Sequence, residues 1–191
     1  MIYFADKYQE ISGCLKERFR KTESKKWNVR TTCLEFIVQL GHLNYVIYKN
    51  CCDLPCPFIK DTENISDEIC DLLFQTFNLA NCINLNLSEE LVKTSLNLKK
   101  EMMNPSEIII FIIHHIGNLC DCVLILEGFK ERSNIDNQAL INRAKDNIIT
   151  IYIYLFDLAK MLNIQLDSSF EKMLSDTDNY LRTYEQKQNY Y

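Results

Sequence analysis

The chain has 191 residues, of which 47% are hydrophobic and 25% charged, and a formal net charge of −5. That balance belongs to globular rather than disordered proteins, and the length suits one domain or two small fused units. An acidic chain is not a general nucleic-acid binder, and with only four Gly and three Pro an all-α protein of long helices is expected rather than many short strands.

Phe4, Tyr8, Ile11, Leu15 and Phe19 recur at steps of three and four and predict a first helix over 3–21. The opening "MIYFADKYQEISG" turns charged too early for a signal peptide, so a reduced cytoplasmic protein is expected. "ESKKWNVR" is a polar break around the single Trp27, and a second helix is expected over 31–49. The loop "CCDLPCPFIKDTEN" follows. Its Cys51, Cys52 and Cys56 raise a zinc reading, but no second Cys or His pair stands at ligand spacing. Cys33, Cys70, Cys82, Cys120 and Cys122 lie in apolar stretches, where a thiol acts as a small buried hydrophobe.

The third helix, over 66–82, opens on acids. Glu68 and Asp71 are three apart and share a face, so they either offset the helix dipole or grip one cation. A fourth helix is expected over 88–103, ending before "MMNPSE". The fifth, over 106–127, holds "EIIIFIIHHIGNLCDCVLIL". Its His114, His115, Asn118 and Asp121 argue against a membrane span, since a central Asp alone costs about 3 kcal/mol; a buried core helix is expected. Two more helices, over 137–162 and 168–186, follow "EGFKERSNID".

The chain repeats itself. "DLLFQTFNLANCINLNL" from Asp71 matches "TIYIYLFDLAKMLNIQL" from Thr150 at an offset of 79, pairing Phe77 with Phe156, Ala80 with Ala159, Asn84 with Asn163 and Leu87 with Leu166. Lys93 and Lys172 keep that offset. Upstream, "QLGHL" at Gln39 matches "HIGNL" at His115 with an offset of 76, pairing Gly41 with Gly117, both expected to let helices approach closely. Two tandem helical units, 1–104 and 105–191, packed as a pseudo-dimer, are the expectation.

With these motifs in order, the first unit resembles the all-α nucleoside triphosphate pyrophosphohydrolases of the MazG and dCTP pyrophosphatase group. Their pattern is an "EExGEL" turn, an "E-x-x-D" turn opening an apolar helix, then "K-x-x-x-N". "DEICDLLFQTFNLANCINLNL" is similar to the second element, Lys93 to Asn97 to the third, and "KERFRKTESKKW" to the lead-in to a tryptophan near the base pocket. The resemblance implies a helical bundle in which carboxylates hold Mg2+ on a triphosphate while water attacks. Glu68 and Asp71 would be the metal ligands, Lys93 and Asn97 would contact phosphate, and Trp27 would face the base.

The first acidic turn departs from that pattern: Gln39 and His42 stand where carboxylates are required. In the second unit His115, Asn118, Asn147 and Thr150 replace all four acids. Glu35 and Asp121, each one turn away, are candidate displaced ligands. Two readings follow. One is a divergent enzyme that cleaves a nucleoside triphosphate to monophosphate and pyrophosphate through Gln39, His42, Glu68 and Asp71. The other is a non-catalytic member that binds nucleotide or a protein partner, with homo-oligomerisation left open.

Overall fold

The computed structural model describes residues 1–23, 25, 27–52, 64–94, 103–131 and 136–188. Among them are seven helices and no strand: α1 (Ile2–Thr22), α2 (Val29–Cys52), α3 (Ile65–Cys82), α4 (Leu87–Lys93), α5 (Pro105–Leu126), α6 (Asn137–Met161) and α7 (Leu166–Gln188). The protein is an all-α bundle. Six helices begin and end within three residues of the sequence expectation. α4 stops at Lys93, and the remainder of the expected 88–103 helix falls mostly on residues 95–102, outside the described set, as does Asn97.

Asparagines start the helices. Asn64, Asn86 and Asn104 accept hydrogen bonds from the backbone N–H groups of Asp67, Glu89 and Glu107, satisfying donors that a helix leaves orphaned. Glu107 completes a capping box on Asn104, and Pro105 occupies the first helical position. Asparagines also stop two of them. Asn84 and Asn163 have φ of 53° and 55°. Leu85 N–H bonds Ala80 O at 2.9 Å and Asn84 N–H bonds Asn81 O at 3.2 Å, while Ile164 N–H bonds Ala159 O at 2.9 Å and Asn163 N–H bonds Lys160 O at 3.2 Å. Both ends are Schellman turns with Asn in the left-handed position. The repeated Ala, Asn and Leu of the sequence are therefore the anchor, the turn and the first residue of the next helix.

α3 is the centre of the bundle, packed by α1, α2, α6 and α7, while α5 packs on α2 and α6. Phe77 is fully buried and meets the rings of Phe4, Tyr152 and Phe170. A single apolar core draws on both halves of the chain. On α1 the buried stripe is Phe4, Ala5, Tyr8, Ser12 and Leu15. Ile11, expected inside, is exposed, because the stripe steps from Tyr8 to Ser12. Gly41 and Gly117 also differ from expectation: nothing lies within 4 Å of a Cβ built on either, whereas one on Gly13 would meet Asn81 Nδ2 at 2.9 Å. Close helix approach occurs at α1 and α3 instead.

Among the described residues α5 alone is long and apolar enough to cross a membrane, and 39% of its apolar window is buried in the fold. Its inner face (Ile108, Ile112, Ile116, Leu119) is core, but Ile110 and Ile113 are exposed, so it is half of the core helix expected. The described cysteines are free thiols: Cys33, Cys70 and Cys122 are buried, Cys120 is intermediate, and Cys14 and Cys82 are exposed. Cys82 was expected inside and lies instead in the last turn of α3. The zinc reading of Cys51, Cys52 and Cys56 rests on side chains outside the described set.

Phe77→Ala is expected to cost about 3–5 kcal/mol, which for a chain of this size lowers Tm by roughly 10 °C; thermal unfolding checks it. Burial pushes the Cys70 thiol up to about 12, and a protonated, enclosed thiol is unreactive. Brief alkylation of the native protein followed by peptide mass spectrometry should label Cys14 first, Cys82 more slowly because burial raises its thiol as well, and spare Cys33, Cys70 and Cys122.

Candidate functional site

α3 is apolar enough to sit at the centre of the bundle, yet Glu68, Asp71, Gln75 and Asn78 interrupt it at steps of three, four and three, which stack along one face. The helix start does not use that face. Asn64 caps it with Asp67, donating from Nδ2 to Asp67 Oδ2 at 2.9 Å, and Ser66 Oγ donates to Asn64 Oδ1. Glu68, 4% exposed, and Asp71 lie beyond this network, towards α2.

α2 runs antiparallel to α3, which places residues 35, 39 and 42 opposite the stripe. His42 Nδ1 lies 3.9 Å from Glu68 Oε2. Gln39 and Asp71 line one cleft of about 260 Å³ together with Trp27, Glu35, Glu23 and Gln75. Gln39 Nε2 donates to Glu35 Oε1 at 2.9 Å, so this turn of α2 carries an amide–carboxylate pair. A neighbouring compartment of about 230 Å³ holds Asn78, Asn81, Thr32 and Arg20. Lys16 and Trp27 line both compartments and form the wall between them, with Lys16 Nζ 3.6 Å from the centroid of the indole. Side by side the two compartments fall within the roughly 300–1,000 Å³ usual for small-molecule sites.

Three features give this site chemical capacity. Burial pushes the Lys16 ammonium below its ordinary value, and Glu23, 3.5 Å away, only partly offsets that, so the ammonium gains from any further anion brought to it. Asn78 is 2% exposed and neither atom of its amide has a hydrogen-bond partner among the described residues; Gln75 Oε1 is in the same position. Buried amides of this kind cost about 1–3 kcal/mol each, and both line the cleft. Carboxylates are present too, but among the described residues no three His, Cys, Asp or Glu side chains are grouped as metal ligands.

The other predicted residues lie elsewhere. Lys93 projects from α4 and pairs with Glu90 at 2.9 Å, and it lines neither compartment. In the second half the corresponding positions bond one another: His115 Nδ1 meets Asn147 Oδ1 at 2.8 Å, Asn147 Nδ2 donates to Arg143 O, and Asn118 contacts both His114 and Arg143. That network ties α5 to α6 with the polar atoms turned on each other. Lys172 is taken by Asp176. Sequence reasoning missed Lys16, Gln75 and Asn78. The last two were visible as polar breaks continuing the 68/71 spacing, while Lys16 had no signal short of the packing of α1.

The chain matches no family model, no curated protein and no solved structure.

Asn78→Leu removes a buried amide that has no hydrogen-bond partner among the described residues and keeps its branched shape, its added methyl volume going into the adjoining compartment, so it should stabilise the ligand-free protein by about 1–3 kcal/mol. Urea unfolding measures this. A loss of stability would mean that the amide is already satisfied.

Proposed function

We propose that the cleft between α1, α2 and α3 binds a nucleoside triphosphate, with the base held beside Trp27 and Asn78. The buried amides carry the reading. An amide pairs a donor with an acceptor, matching the polar edge of a nucleobase, and an aromatic face beside it suits a flat ring. Arg20, paired with Glu17 on the same wall, and Lys16, partly offset by Glu23, bring the cavity its positive groups. Phosphates directed toward Glu23, Glu35 and Asp71 need a cation between like charges. With no group of three metal ligands among the described residues, Mg2+ would be held jointly by the nucleotide and one or two carboxylates. No hydrolytic step follows from that donor set, so a non-catalytic nucleotide-binding module is the first reading.

Hydrolysis to monophosphate and pyrophosphate, the activity implied by the resemblance to the MazG group, is the second. It is favoured by Glu35 and Asp71 lining the same compartment as Gln39, with Glu68 one turn along α3. We also infer that 1–104 and 105–191 are tandem copies related by an approximate two-fold axis. The twin Schellman turns at Asn84 and Asn163 support this. Superposing α2–α3–α4 on α5–α6–α7 in an experimental structure tests it, and different packing of the two sets would refute it.

A melting series with millimolar nucleotide, with and without Mg2+, tests the function. Binding to the native state raises Tm, by the equivalent of about 2.7 kcal/mol at a hundredfold excess over Kd. The rise should require Mg2+ and disappear in Asn78→Leu. Pyrophosphate release in the same samples separates the readings: none supports the binding module, and release that is lost in a Glu68→Gln, Asp71→Asn double variant supports the enzyme. A midpoint unmoved by every common ribo- and deoxyribonucleotide would refute both.

A further inference from the structure

We propose that the outer face of α2 and α5 is covered by a second copy of this chain. The two helices lie side by side and antiparallel, with Arg30 at the start of α2 3.5 Å from Glu127 at the end of α5. Their inner faces are core. Their outer faces are apolar and bare: Leu34 is 59% exposed, Ile37 47%, Val38 49%, Ile110 63% and Ile113 50%.

The pattern is doubled within the chain. Leu34, Ile37 and Gly41 recur at an offset of 76 as Ile110, Ile113 and Gly117, and all six are exposed. Over the same offset the cleft-facing positions changed character: Glu35, Gln39 and His42 correspond to Phe111, His115 and Asn118. The outer apolar set is thus common to two halves whose inner polar sets diverged. Both glycines lie on this face with open space above them, so a facing helix could approach the backbone closely.

Three observations select a second copy as the occupant. Large side chains about half exposed contribute roughly 100 Å² each; with Tyr48, 52% exposed, the face offers on the order of 600 Å² of apolar surface. That is at the upper end of the roughly 300–600 Å² that a monomer's largest patch reaches and, with a polar rim, meets the ~800 Å² per partner of a stable dimer. Positions 34, 37, 38 and 41 and positions 110, 113, 114 and 117 carry no Lys, Arg, Asp or Glu, and the charges at the end of the face are paired, Asp121 with Lys130 and Glu127 with Arg30, so the face meets itself across a two-fold axis with little like-charge repulsion. The absence of Lys and Arg also removes the attraction to anionic headgroups that interfacial helices use.

Sedimentation equilibrium of the full chain at micromolar concentration tests the proposal. The expected mass is twice the 22.5 kDa of one chain. An Ile37→Lys, Ile113→Lys double variant should sediment as one chain while keeping its helical circular dichroism. Gly117→Leu builds into open space in the single chain, so it should fold and weaken association at least tenfold. A wild-type protein with single-chain mass overturns the proposal, as does a double variant that stays dimeric. Single-chain wild type that co-sediments with phosphatidylcholine–phosphatidylserine vesicles would assign the face to a membrane instead.

Discussion

A helix enclosed by neighbours must settle every polar side chain it carries, and α3 is that helix. Four helices pack around it, and its apolar residues Ile69, Leu72, Leu73, Phe77 and Leu79 are fully buried. Thr76 settles its hydroxyl on Leu72 O at 2.7 Å, the usual solution for a hydroxyl in a helix. The stripe of Glu68, Asp71, Gln75 and Asn78 is too long to be settled that way. It is accommodated because α1 and α2 stand off from it and leave the cleft. On α6 the polar face is settled differently, by a hydrogen bond between His115 Nδ1 and Asn147 Oδ1 at 2.8 Å.

The cleft keeps its shape because its walls are tied down away from it. Gln9 on α1 reaches the α3–α4 turn, donating to Leu85 O at 2.6 Å and accepting from Leu87 N–H at 3.0 Å. Gly13 lets α1 come down onto Asn81. At the other side Arg18 binds Asp178 and Glu185 of α7, and Lys7 binds Glu171 at 2.7 Å. The Arg18 guanidinium holds the Asp178 carboxyl below its ordinary value. A depressed carboxylate stabilises the fold above its unfolded value and loses that contribution as pH falls through the folded one, so the α1–α7 contact weakens in acid. Met173 and Thr177 of α7 line the cleft.

Much of the fold was legible because its signals are local. Asparagine caps, Pro105 and the 3.6-residue period fix where six helices lie, and the internal repeat reads out a pair of identical turns. What was not legible depends on neighbours. Ser12 replaces Ile11 in the α1 stripe because the contact surface is α3, not an abstract apolar face. Gly41 and Gly117 looked like packing glycines, but the space above them is empty because the neighbouring helices lie on the other side. In the site, the three-residue steps 39/42 and 68/71 were readable, while their facing each other follows from the antiparallel packing of α2 on α3. Lys16 was not, since nothing in α1 announces that one of its lysines will stack on Trp27. Gln75 and Asn78 were readable in spacing but passed over, because amides do not advertise chemistry as acids do.

The central claim is that the buried amides of α3 await a ligand in this cleft. Side-chain amide NMR resonances of Gln75 and Asn78, followed during titration with Mg2+ and nucleoside triphosphates, test it most directly. The account predicts that both resonances move together with the Trp27 indole N–H, saturably and at one affinity, for at least one nucleotide. Amides that stay fixed while a nucleotide perturbs a different surface would contradict it.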